Sequence, residues 1–200
     1  MIRFPLTALL LAATGIAGGA QAGCPTGADM TSGVTFRLST GETESFRRLD
    51  NGLIQGLFAY EPDQASRTLL ARGIYLLEVV TLENGKPDFT TRTTYSFPQP
   101  PSELPLPASG GEWSVTAATY GEGHIATERQ HYAFGEMTWQ SYGACNYDMI
   151  PITIRYPELD DEQRHDVLHF LPELGLSYLA EFHDKDGSDI YDYISIETSQ

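Results

Sequence analysis

Apolar and polar residues alternate with a period of two along most of this chain, the pattern of half-buried β-strands. Residues 35–38, 43–48 and 53–60 are short runs of this kind, set apart by Thr40-Gly41 and Asp50-Asn51-Gly52. Residues 67–71 and 74–82 flank Gly73. Asn84-Gly85 follows, a dipeptide that suits a two-residue hairpin turn because both positions tolerate positive φ. Residues 89–97 read as the returning strand, with Phe89, Thr91, Thr93, Tyr95 and Phe97 on one face. The alternation stops at 98–111, which holds five prolines and ends in Ser109-Gly110-Gly111. A stretch so poor in backbone donors cannot enter a central strand. Strand-like runs resume at 113–120, 124–134, 137–142 and 149–156. A polar turn or loop covers 158–163, and 176–182 with 189–196 form a last hairpin about Asp186-Gly187.

Two blocks resemble each other. Gly73, Tyr75-Leu76, Glu78 and Gly85 are paralleled by Gly175, Tyr178-Leu179, Glu181 and Gly187, with Tyr60 and Tyr156 upstream at similar distances. The expected fold is therefore all-β with little helix: a duplicated antiparallel β-meander forming a sandwich or a partly closed barrel, because many short strands must hide their edges. On this reading 23–97 is the first repeat, 98–111 a Pro-rich connector and 112–200 the second repeat, both packed as one unit.

The start of the chain follows other rules. Arg3, an apolar run at 4–16 and the small residues of Ala20-Gln21-Ala22 stand in the order of a secretory signal peptide, cleaved near Ala22. The apolar run falls short of the roughly 20 residues a membrane span needs, and no later stretch is apolar enough, so no transmembrane segment is expected in the mature chain. The expected location is the periplasm or the exterior. There, Cys24 and Cys145 read as a disulfide. The competing use of Cys24 is lipid attachment just past the leader. Against it stand Gln21, where a lipidation signal carries an aliphatic residue, and the odd thiol that Cys145 would become. With 27 acidic against 12 basic residues and a formal charge of −15, the chain repels phosphates, and nucleic acid is not an expected partner.

Candidate chemistry is sparse. His165 and His169 on a helix would stand one turn apart, share a polar stripe with Asp161 and be able to chelate one metal ion. On a strand, four steps of about 3.3 Å separate the two imidazoles by about 13 Å, too far to share an ion. The strand is the preferred reading, because Pro172-Glu173-Leu174-Gly175 looks like a tight connection into the next strand and 167–171 is apolar with β-formers at both ends. Asp184, Asp186, Asp189 and Asp192 lack the spacing of a calcium loop; Asp186-Gly187 reads as turn chemistry, with Asp184 and Asp189 as solvated neighbours. No nucleophile elbow, phosphate-cradling loop, dinucleotide fingerprint or C-x-x-C is present, and no cofactor is implied. Among the aromatics crowding 132–156, Trp139, Tyr142 and Tyr147 are candidates for a ligand surface, with core packing the commoner use of such residues. The expected role is non-catalytic binding of a small ligand or an envelope protein. The alternatives are a metal-dependent hydrolase using His165 and His169, and a purely structural envelope component.

Overall fold

The computed structural model describes residues 23–158 and 163–199. Residues 1–22, read above as a leader, and the candidate ligand Asp161 lie outside the described residues. Strands β1 (Val34–Leu38), β2 (Thr43–Arg48), β3 (Ile54–Glu61), β4 (Gln64–Ala71) and β5 (Tyr75–Glu83) form an antiparallel meander. A two-residue β6 (Lys86–Pro87) and then β7 (Thr93–Ser96) both return along β5. The second half runs through β8 (Glu112–Gly121), β9 (His124–Phe134), β10 (Thr138–Tyr142), β11 (Cys145–Arg155), β12 (His165–Leu171), β13 (Leu176–Asp184), β14 (Gly187–Ile190) and β15 (Tyr193–Thr198). The spatial order is β14-β13-β12-β11-β9-β8-β7-β5-β4-β3-β2-β1-β15, with β10 on β11 and β6 on β5. The antiparallel sheet is not closed. Its two ends are strands consecutive in sequence, so the ribbon bends back on itself.

Two expectations need correction. The return along 89–97 is broken. Pro87 brings no N–H to the ladder, and Asp88 caps a 3-10 turn at Phe89–Thr91 by accepting from Thr90 N–H at 2.9 Å. Phe89 is exposed as a result. Residues 189–196 are two strands, not one, for β14 stays on β13 while β15 crosses to β1 and pairs Tyr193 with Leu38. The Pro-rich segment at 98–111 enters no strand. It connects neighbouring strands, β7 and β8, and it anchors in the core through Leu104 and through Pro105 O, which accepts from Tyr75 Oη at 2.7 Å.

Alternation buries one face of the longer strands. Val34, Phe36 and Leu38 point inward from β1, and Gln130, Tyr132 and Phe134 from β9. β11 serves two cores by changing face midway: Cys145, Tyr147 and Met149 pack on one cluster, Ile150, Ile152 and Ile154 on another. The first cluster centres on Phe36, whose ring lies 5.3 Å from Tyr142, 5.4 Å from Tyr178 and 5.8 Å from Tyr193. The second gathers Tyr75, Tyr132, Phe134, Ile152 and Phe170 around Leu104. Each cluster draws on both halves of the chain, so neither half buries its apolar face alone. Cys24 and Cys145 are disulfide-bonded with Cα atoms 5.5 Å apart, which clips the N-terminal segment to the start of β11.

The sequence likeness between the two hairpins is also a likeness of backbone. In β4–β5 the register slips so that Leu77 is left unpaired between Leu76 and Glu78; in β12–β13 Ala180 is left unpaired between Leu179 and Glu181. The two turns touch. Gly73 O accepts from Ser177 N at 2.7 Å and from Ser177 Oγ at 2.8 Å. A Cβ on Gly73 would stand 2.2 Å from Gly175 O, and its φ of +72° also favours glycine.

Candidate functional site

A cavity of about 270 Å³ opens where the two apolar clusters meet. Phe46, Leu70 and Leu76 wall it from the first half, and Tyr132, Ile154 and Leu168 from the second. Ser177 and Tyr178 complete it beside the contact between the two turns. Local folding explains the lining. The bulges in β5 and β13 reset the alternation just past the turns, so that Leu76 and Leu179 both reach the cavity.

Three carboxylates reach this space: Glu44 from β2, Glu128 from β9 and Asp166 from β12. Each is met by a neutral donor. Tyr193 Oη donates to Glu44 Oε2 at 2.6 Å, Gln130 Nε2 to Glu128 Oε1 at 2.6 Å, and Tyr156 Oη to Asp166 Oδ2 at 2.5 Å. Tyr132 Oη in turn donates to Gln130 Oε1 at 2.6 Å, so successive inward positions of β9 form a chain. Among the described lining residues Arg164 is the one cation. Its Nη2 lies 3.4 Å from Asp166 Oδ1 while its guanidinium sits over the Phe182 ring at 4.0 Å. Oδ1 is buried and, among the described residues, accepts no hydrogen bond.

Burial sets the electrostatics. It pushes Glu44 up to about 7, against the pull of the Tyr193 hydroxyl. It also raises Asp166, opposed by the Tyr156 hydrogen bond and then by Arg164. Tyr132, Tyr156 and Tyr178 are all raised, burial being the first cause in each, so their hydroxyls stay protonated and serve as donors.

The residues singled out from sequence lie elsewhere. Tyr142 is buried with its Oη 2.6 Å from Tyr178 Oη, and Tyr147 is buried and donates to Pro25 O at 2.6 Å. Of that trio only Trp139 is exposed, so the three share no ligand surface. His165 and His169 are on strand β12. The His165 ring stacks on His183 at 4.2 Å and its Nδ1 lies 2.7 Å from Gln163 O, whereas His169 Nδ1 contacts Tyr178 Oη at 2.9 Å. Burial lowers the His169 pKa, which suits a neutral ring in that contact. Among the described residues no group of three or more His, Cys, Asp or Glu could hold a metal ion. In the last hairpin Asp184, expected to be a solvated neighbour of the turn, instead holds it: its Oδ1 accepts from Asp186 N and Gly187 N at 2.8 and 3.0 Å.

One arrangement had no signal in the sequence. Ser188 Oγ is 2.6 Å from His183 Nδ1, and His183 Nε2 is 2.7 Å from Glu181 Oε2. The order resembles a hydrolytic relay, but every residue of β14 is exposed. A developing oxyanion there would meet water, where hydrogen-bond donors are worth far less than in a dry site. The cavity was likewise out of sight, since Glu44, Glu128 and Asp166 stand among many other acids and nothing local marks them.

Fold and site together define an all-β, disulfide-linked protein with a polar and aromatic cavity between its halves. Comparison with protein-family models, curated proteins and solved structures finds no match to this chain.

Proposed function

We propose that this is an exported protein, periplasmic or secreted, that binds a small ligand in the cavity between its halves without transforming it. The observation that carries this reading is the cavity itself. Its volume, about 270 Å³, falls just below the roughly 300–1,000 Å³ of drug-sized ligand pockets, which suits a small ligand. Mostly apolar walls with a few convergent polar groups are what such pockets present. Export is supported by the leader-like start of the chain and by the Cys24–Cys145 bond, which fits an oxidising compartment. No helix among the described residues is long and apolar enough to cross a membrane.

The test is a thermal-shift screen of a fragment panel on the wild type and on Leu168→Trp, which fills the cavity. Fragments that raise the wild-type melting temperature are expected to leave the variant unmoved. A panel without hits, or hits indifferent to the tryptophan, would end the cavity reading.

A further inference from the structure

We propose that the cavity selects a small organic cation, a protonated amine or quaternary ammonium on a compact apolar body; this rests on the cavity being the ligand site. Charge is the first reason. Glu44, Glu128 and Asp166 face the space, and Arg164, the one described cation there, is already taken up by Asp166 and the Phe182 ring. Glu44 and Glu128 have only uncharged donors, Tyr193 and Gln130. Both are half-buried, and a carboxylate with reduced access to water favours a positive partner, which no side chain in the described lining supplies to these two.

The walls are the second reason. Phe46, Tyr95, Tyr132, Tyr156 and Tyr178 line the same volume. Aromatic faces attract desolvated cations, and they do so most for ammonium groups enclosed by several rings. The third reason is the buried Oδ1 of Asp166, which has Arg164 Nη2 as an ion-pair partner at 3.4 Å but accepts no hydrogen bond among the described residues. An ammonium N–H would supply one.

Geometry separates an organic cation from a metal ion. Among the described residues no three carboxylates or imidazoles converge closely enough to share one ion. The negative groups are instead spread over β2, β9 and β12, around a volume that accommodates a body several atoms across.

Calorimetric titration of the full mature chain with phenethylammonium, 2-phenylethanol and phenylacetate, three probes of one shape, tests this. The ammonium should bind at least tenfold more tightly than the alcohol, and the carboxylate most weakly. Glu44→Gln keeps an acceptor for Tyr193 and should lower affinity for the ammonium at least fivefold while leaving the alcohol unchanged. Equal binding of ammonium and alcohol, or an unaltered preference in Glu44→Gln of native circular dichroism, overturns the charge assignment and leaves the cavity reading standing. Binding by none of the three overturns it too, and the fragment panel then decides the cavity reading separately.

Discussion

Glu44 shows how far a single side chain can depart from its ordinary behaviour without any local warning. It sits on β2 as an even-numbered residue in the run Thr43-Glu44-Ser45-Phe46, where an inward-facing apolar residue would be expected two before Phe46. Its carboxyl is pushed up to about 7 from an ordinary 4.5 because the tertiary fold buries it. The sign of the consequence is definite. Between those two values the folded chain keeps a proton that the unfolded chain has released, so stability falls as pH rises from about 4.5 through about 7. The shift corresponds to on the order of 3 kcal/mol. Asp166, also raised by burial, acts in the same direction. Urea denaturation across this range should find Glu44→Gln with a shallower decline than wild type and greater stability at about pH 8. Parallel pH profiles would contradict the burial of this carboxyl. Tyr142 and Tyr147 make the converse point. In sequence they were indistinguishable from exposed Trp139, and only their hydroxyl partners, Tyr178 and Pro25, explain why a tyrosine can be buried there.

At the scale of elements, the meeting of two turns matters most. Gly73 and Gly175 both adopt positive φ, +72° and +66°, and their hairpins touch backbone to backbone. Gly73→Ala would drive a Cβ to 2.2 Å from Gly175 O and add left-handed strain, so a loss of at least about 2 kcal/mol is expected in chemical denaturation. A loss below about 0.5 kcal/mol, the level of an ordinary surface change, would mean the turns do not pack as described. Most strands were legible beforehand because alternation is a property of neighbouring residues. β1, β2, β8 and β9 fall close to where the pattern put them. The failures were of two kinds. At 89–97 the Asp88 cap outcompeted the ladder locally. At 189–196 two β-prone stretches belonged to opposite ends of the sheet, a choice made by which partner edge was open and not by their own composition.

For the whole molecule, the disulfide is the main device that ties distant parts together. It spans 121 positions, and a closed loop of that length removes about 4–5 kcal/mol worth of freedom from the unfolded chain in the loop-entropy account. Cys24→Ser with Cys145→Ser should lower unfolding free energy by about that much, read from denaturant midpoints with and without reductant on the wild type. If reduction leaves the wild-type midpoint in place, the bond is not the clip described here. The mixed clusters predict that this loss is felt globally, because each core takes residues from both halves.

Period-two alternation, the turn dipeptides, an even cysteine count and the doubled Gly…Tyr-Leu-x-Glu block are written in short stretches of chain. They were enough to foresee an antiparallel β fold and its covalent tie. The cavity and its carboxylates were not foreseeable in that way. Glu44, Glu128 and Asp166 are far apart along the chain and come together only when the sheet bends back on itself. Burial, and with it charge state, is decided by what the rest of the chain places overhead, which no single segment contains.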